Sequence, residues 1–351
     1  MKNKRLIWIL SFISVGLGVA FMVAAWLLGG TPGFYFDRNG FHSANEALED
    51  TVIEEEAKEL DPFTSMELEL ESADLEIAVS DRFAISYCVD GTFGRPVVRV
   101  ENGKLTFKER EDVRYWVVFG GFGRIGSKMD RSYFVKIEVP KGTALEDLKV
   151  ESSNGTVKLA SLEAERVSLE NEYGDISLEN LSGKRLKIKT DNGIVSAKQV
   201  HVDKVELENE YGRTEVEMLE GGQLQAESAN GDFRVEELKM GRSEIINEYG
   251  DIQISRASGE KLAVEMENGN FSIGEVEASQ VMAECEYGDV KLGLAKGMEE
   301  YSFNLGTEYG RIVLPDGAIE ESAGDGMKFQ SQNAGAYQIS VKCENGDIVI
   351  R

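Results

Sequence analysis

The stretch that comes closest to a chemical motif is Gly121-Phe-Gly123-Arg-Ile-Gly126, which spells the dinucleotide fingerprint G-x-G-x-x-G after an apolar run from Tyr115 to Phe119. That fingerprint works when its third glycine packs a helix whose N-terminus faces a pyrophosphate, with an acidic residue about 20 positions on. Here Ser127 to Ser132 leads straight into another strand pattern, Tyr133 to Val139, and no helix fits between them. No cofactor is expected. The alternatives are an exposed aromatic loop (Trp116, Phe119, Phe122) that touches membrane or a partner, and a plain hairpin tip. The two histidines, His42 and His201, stand far apart, and no serine or cysteine sits in a nucleophile motif. No catalytic constellation results, and the chain reads as non-enzymatic. Three cysteines, Cys88, Cys285 and Cys343, do not make a disulfide framework. Cys285 and Cys343 occupy equivalent repeat positions, and coil counting sets them too far apart for a bridge.

Carboxylates are abundant: 63 Asp and Glu stand against 38 Lys and Arg, a net charge of −25. A field of that sign disfavours nucleic acid and other polyanions, and no nucleic-acid partner is expected. Glu172, Glu210, Glu248 and Glu286 recur at one position. Stacked directly they would lie about 5 Å apart, a spacing that calcium could relieve. The calcium-binding nonapeptide pattern is absent, so a hydrated, salt-screened acidic edge is expected and no metal site.

These residues recur because the chain is a repeat. Turn glycines fall at 155, 174, 193, 212, 231, 250, 269 and 288, seven gaps of 19, then at 310 and 346. The turn positions are Asn154-Gly155, Tyr173-Gly174, Asn192-Gly193, Tyr211-Gly212, Asn230-Gly231, Tyr249-Gly250, Asn268-Gly269 and Tyr287-Gly288, with Asn and Tyr in strict alternation. A second glycine, at 183, 221 and 259, belongs to the Tyr-Gly halves, so the sequence unit is 38 residues in two 19-residue halves. Before each glycine the pattern alternates apolar and polar, as in Val167, Leu169 and Asn171 around Ser168 and Glu170. That is a half-buried strand. Beyond the glycine the apolar parity slips by one, which calls for a corner at Asn-Gly or Tyr-Gly. The fold class is all-β, a β-solenoid with coils about 4.8 Å apart. Like-on-like stacking favours a coil of 38 residues, with separate Asn and Tyr columns and a column of alternating charge through Asp175, Arg213 and Asp251.

Five organisational units follow. Residues 1–5 form a basic cytoplasmic tail, and the apolar run 6–28 is long enough for a transmembrane helix. The positive-inside rule puts the N-terminus in the cytoplasm and the rest outside the cell membrane. Residues 29–61 read as an acidic stalk, with Ser43 and Glu46 spaced as a capping box for a short helix. Residues 62–145 carry strand patterns without the 19-residue register, as an N-terminal capping β region, and 146–351 are the solenoid repeats. The last strand, Asp347 to Arg351, ends the chain without a polar cap and offers an edge for self-association.

An N-terminal membrane helix, strands such as Leu75-Glu-Ile-Ala-Val79, the junction Val139-Pro140-Lys-Gly, and serial Ser-Asn-Gly-Thr-Val and Glu-Tyr-Gly-Asp-Ile repeats resemble the bacterial putative-adhesin family, a β-strand-repeat domain of unknown function, over about residues 62–351. The resemblance implies a β-solenoid displayed at the cell envelope, with some members similar to envelope-stress components, and it supplies no catalytic residues. The expected partners are the membrane, an envelope protein or surface ligand, and a second copy in a homo-oligomer. Expected function is a membrane-anchored binding module; a self-associating scaffold and a β-helix carbohydrate-active enzyme are the alternatives.

Overall fold

The computed structural model describes residues 2–27, 34–37, 40–43, 52–91, 95–110, 132–315, 326–331 and 335–351. The helix α1 spans Lys2–Leu27, and β1 (Phe34–Asp37) and β2 (Gly40–Ser43) form a separate hairpin. No helix among the described residues is long and apolar enough to cross a membrane. All other strands belong to one sheet wound into a solenoid. They are β3 (Val52–Glu59), β4 (Ser65–Leu70), β5 (Asp74–Ser80), β6 (Ala84–Asp90), β7 (Val97–Glu101), β8 (Lys104–Lys108), β9 (Phe134–Pro140), β10 (Ala144–Asn154), β11 (Val157–Leu159) and β12 (Leu162–Tyr173). Then come β13 (Ile176–Asn192), β14 (Val195–Tyr211), β15 (Thr214–Asn230), β16 (Phe233–Tyr249), β17 (Ile252–Asn268) and β18 (Phe271–Tyr287). The chain closes with β19 (Val290–Leu294), β20 (Tyr301–Tyr309), β21 (Ile312–Val313), β22 (Met327–Gln330), β23 (Tyr337–Asn345) and β24 (Ile348–Ile350).

The coil is 19 residues long. Leu186 pairs with Val167 on one side and Val205 on the other, all in parallel. The expected 38-residue coil is therefore wrong: Asn and Tyr share one column, and Asp175, Arg213 and Asp251 are two coils apart with Ile194 and Asp232 between them. The 38-residue sequence unit survives as an alternation between neighbouring coils. Gly183, Gly221 and Gly259 each lie beside a buried side chain, in the column Ala164, Gly183, Val202, Gly221, Met240, Gly259, Ala278. A Cβ on Gly221 would strike the Val202 carbonyl and meet the Met240 methyl at 3.4 Å. One coil's missing side chain makes room for the next coil's large one.

Each 17-residue strand bends twice. In β13 the inward residues run Ile176 and Leu178, then Leu181, then Leu186, Ile188 and Thr190, with two successive exposed residues at 179–180 and at 184–185. Together with the glycine corner this makes three faces around a continuous apolar core.

At the third corner the turn glycines stack on one another. Gly174 has φ +129° and Gly250 φ +131°, a region open mainly to glycine. A Cβ on either would also enter the carbonyl of the glycine one coil below, Gly155 or Gly231.

Neither end of the stack is an end of the chain. The coil of β4 and β5 lies between β10–β11 and the later β8–β9, and β6 and β7 cover the outer side as antiparallel strands, with β3 beyond β6. At the other end, β23–β24 inserts between β18–β19 and the earlier β20–β21, and β22 covers β20 antiparallel. Three expectations fall with this. The last strand is no open edge, since Ile348 pairs with both Val290 and Ile312. The acidic segment Val52–Glu59 is a strand paired with β6, in place of a solvated stalk. Cys285 and Cys343 are direct neighbours in register, because the crossover cancels the sequence spacing that coil counting relied on.

Two outcomes follow. Gly212→Ala should cost about 2–4 kcal/mol in urea unfolding, from the positive φ of +148° and the clash with the Gly193 carbonyl. Cys285 and Cys343 are buried free thiols, and the neighbouring Cys343 thiol together with burial pushes the Cys285 thiol up. Both should resist alkylation by iodoacetamide at neutral pH until the stack is unfolded; rapid labelling of the native chain would contradict their placement.

Candidate binding surface

The glycine corner brings four columns of side chains together, and each does different physical work. Inside, three positions before the glycine, runs a buried column: Ser152, Asn171, Thr190, Asn209, Ser228, Asn247, Met266, Cys285, Cys343 and Thr307. The Asn171 amide donates to the carbonyls of Gly174 (2.8 Å) and Gly155 (3.2 Å), and Asn247 does the same to Gly250 (3.0 Å) and Gly231 (3.2 Å). Thr307 Oγ1 donates to Gly346, and the Cys285 and Cys343 thiols both point at the Gly288 carbonyl, at 3.5 and 3.3 Å. Asn171, Asn247 and Thr307 thus satisfy carbonyls that the corner turns inward, while the Ser152 and Thr190 hydroxyls in the same column are buried without a hydrogen-bond partner.

Where an Asp or Asn immediately follows the turn glycine, as at 175, 232, 251, 270, 289 and 347, it carries the corner to the next coil. Asp175 accepts from the Ile194 amide (2.9 Å), Asp251 from Asn270 (2.8 Å), Asp289 from Asp347 (3.1 Å) and Asp347 from Arg311 (2.9 Å). This ladder, and not alternating charge, explains the Gly-Asp dipeptides. At the first coil Ala73 stands in the glycine place, and a different device appears. The fully buried Glu109 carboxylate accepts from the amides of Glu71 (2.6 Å), Ser72 (2.9 Å) and Ala73 (3.2 Å) and from the Ser72 hydroxyl (2.8 Å). Nothing in the sequence pattern singles out Glu109, which lies outside the repeat.

The outer columns face solvent. Two positions before the glycine, Glu248, Glu267, Glu286, Glu344 and Glu308 follow one another on successive coils. Four positions before it the acidic column is relieved by lysines, with Lys342 2.7 Å from Glu284 and Lys189 3.7 Å from Glu208. His201 lies 3.5 Å from Glu220 one coil on, half exposed, and His42 lies in the separate β1–β2 hairpin. Among the described residues no group of three or more His, Cys, Asp or Glu is arranged to hold a metal ion. The glycines 121, 123 and 126 and the aromatics 116, 119 and 122 fall outside the described residues.

The turn positions themselves form one unbroken line: Asn154, Tyr173, Asn192, Tyr211, Asn230, Tyr249, Asn268, Tyr287, Asn345, Tyr309. The five tyrosines are 51–74% exposed, so their rings stand in solvent. The alternation holds through the crossover, where Tyr309 precedes Asn345 in sequence and lies beyond it in space.

A fold of this kind has a family. The Toastrack DUF4097 family model matches residues 63–243 and 230–351, most of the chain. The chain belongs to the Toastrack DUF4097 family. Among solved structures the Toastrack stack is similar to a putative adhesin of Bacteroides fragilis, 10% identical, covering 86% of this chain and 98% of that one with a TM-score of 0.35. It is similar also to a putative cell adhesion protein of Clostridium sporogenes, 11% identical, covering 86% and 99%, with a TM-score of 0.21. No curated protein matches the chain.

The Asp ladder gives the Toastrack stack an acid-sensitive joint. The Arg311 side chain and amide hold the Asp347 carboxyl below its usual range, and the Asp347 amide, with Lys291, does so for Asp289. A depressed folded-state pKa contributes stability above the ordinary Asp value of about 3.9 that is lost as pH falls through the lower folded value. Asp347→Asn should therefore lower the urea midpoint most at pH 7, and its gap from wild type should close below about pH 4.

Proposed function

We propose that this chain is a non-enzymatic binding module of the bacterial cell envelope, anchored in the cell membrane by the apolar run 6–28 of its sequence, with the solenoid outside. The observation that carries the reading is the Tyr and Asn line, whose five tyrosines are exposed and which runs along ten successive coils beside an exposed acidic column. Repeat stacks of this shape offer long, continuous surfaces for partners. Support for the anchor comes from the sequence, where the 23-residue run 6–28 is apolar apart from small residues and Ser and is long enough to span a bilayer. Lys2, Lys4 and Arg5 precede the apolar run, which favours a cytoplasmic N-terminus. Placement outside the cell and partnership with an envelope protein or surface ligand, for adhesion or for envelope-stress regulation, are the consequences of this reading.

The self-associating scaffold is the second reading, but its motivating feature is gone, because β24 is paired on both sides. Crosslinking in native membranes followed by mass spectrometry separates the two. Capture of another envelope protein or surface polymer is the expected result; ladders made of this chain alone would favour the scaffold instead.

A further inference from the structure

The line of tyrosines has the geometry of a ruler. Successive rings, Tyr173, Tyr211, Tyr249, Tyr287 and Tyr309, are two coils apart, about 9.5 Å. A partner that meets several of them at once must itself repeat at that interval in one dimension. A second copy of this stack does, but it would bring its own acidic columns against these, at a net charge of −25 per chain. Polyanions fail for the same reason. An all-proline chain in the polyproline II helix repeats at about 9.3 Å, yet without N–H groups its backbone presents only carbonyl acceptors toward carboxylates that also only accept. An extended peptide repeats about every 6.7 Å and falls out of step.

A β-1,4-linked glycan meets the charge and donor conditions and comes within a small fraction of the spacing, so that a few sugars stay in step. Its rings flip from one sugar to the next, so one face recurs every second sugar, close to the two-coil interval, and each sugar spans about one coil. Pyranose faces stack on aromatic rings that are apolar on the face and polar at the tip, which is what an exposed Tyr offers. Sugar hydroxyls donate to the carboxylates beside the line, such as Glu248, Glu267 and Glu286, which are all exposed. Between tyrosines stand half-buried asparagines, among them Asn230 and Asn268. A primary amide, donor and acceptor at once, matches the acetamido group of an amino sugar. We infer that the Tyr and Asn line is a docking site for a neutral β-1,4-linked chain of N-acetylated amino sugars, laid along the solenoid with one sugar per coil. The inference rests on the binding-module reading and names its ligand class.

Isothermal titration calorimetry on the full chain in mild detergent tests this, with chitohexaose, chitotriose, cellohexaose, maltohexaose and decaproline as probes. Chitohexaose should bind, and chitotriose at least about tenfold more weakly because it reaches fewer tyrosines. Maltohexaose, whose α-linkage coils the chain, should not bind. The double variant Tyr211→Ala, Tyr249→Ala should lose about tenfold or more in affinity while keeping its circular dichroism and urea midpoint, since both side chains are exposed. Asn230→Leu should weaken chitohexaose. Cellohexaose binding as tightly as chitohexaose would overturn the amino-sugar assignment. Binding unchanged in the tyrosine variant, or decaproline bound in place of the glycan, would overturn the site. If no β-1,4 glycan binds but membrane crosslinking still captures an envelope protein, the glycan inference falls alone; if both fail, the binding-module reading falls with it.

Discussion

Everything in this molecule depends on backbone stacking at one corner. From Gly174 on, each turn glycine of the regular coils sits where a Cβ would occupy the carbonyl of the glycine one coil below, and Gly155 meets the Ala73 carbonyl in the same way, so every coil stacked above Ala73 must supply glycine at that place. Parallel pairing then propagates that register around all three faces. The corner turns carbonyls inward and amides toward the next coil, and burial forbids leaving them unpaired. Asn171, Asn247 and Thr307 in the interior column and Asp175, Asp251, Asp289 and Asp347 in the external one answer those two demands at their coils. Glu109 answers them at the first coil, where Ala73 replaces the glycine.

A stack of parallel coils has two open ends, and each is a template for aggregation. This chain manages both by a crossover. At the C-terminal end it leaves a slot, builds the terminal coil β20–β21 and returns with β23–β24 to fill the slot. At the N-terminal end it lays the inner coil β4–β5 first, adds the terminal coil β8–β9 outside it and then crosses to the other side with β10–β11, so that strands consecutive in sequence are not neighbours in space. Antiparallel strands, β6 and β7 at one end and β22 at the other, then cover the terminal coils. The device also brings Cys285 beside Cys343 and keeps the Tyr and Asn alternation in step through a break in sequence order. Duplication of a 38-residue unit cannot by itself produce that continuity, because Tyr309 comes before Asn345 in the chain. The alternation therefore follows spatial order, which is the order a ligand lying on the surface would meet.

The surface chemistry follows from the same register. Side chains 19 residues apart lie side by side, so charge is balanced coil to coil: Lys198 with Glu179 at 3.2 Å, Arg166 with Asp147 at 3.2 Å, Arg256 with Glu237 at 3.3 Å. These exposed pairs contribute little individually. Their effect is to leave the column beside the tyrosines, through Glu248, Glu267, Glu286, Glu344 and Glu308, as the place where acid stays clustered. Aromatic rings bordered by hydrogen-bond acceptors make that edge chemically distinct from the other two corners.

The sequence by itself determined the all-β class, the solenoid, the glycine corners and the inward and outward parity of the strands. Those properties are local: a strand's alternation and a glycine's backbone freedom are set within a few residues, and a 19-residue period repeats the signal until it is unmistakable. Only the tertiary structure decided that one coil is 19 residues and not 38, since a two-coil alternation in side-chain size, Gly221 beside Val202 and Met240, writes the same period as a longer coil. Only it decided that β23 precedes β20 in the stack, that Val52–Glu59 pairs with β6, and that Glu109 closes the first corner. These are non-local pairings, fixed by which open edge and which unpaired amide remain to be satisfied once the regular coils have stacked, and sequence spacing carries no record of that competition.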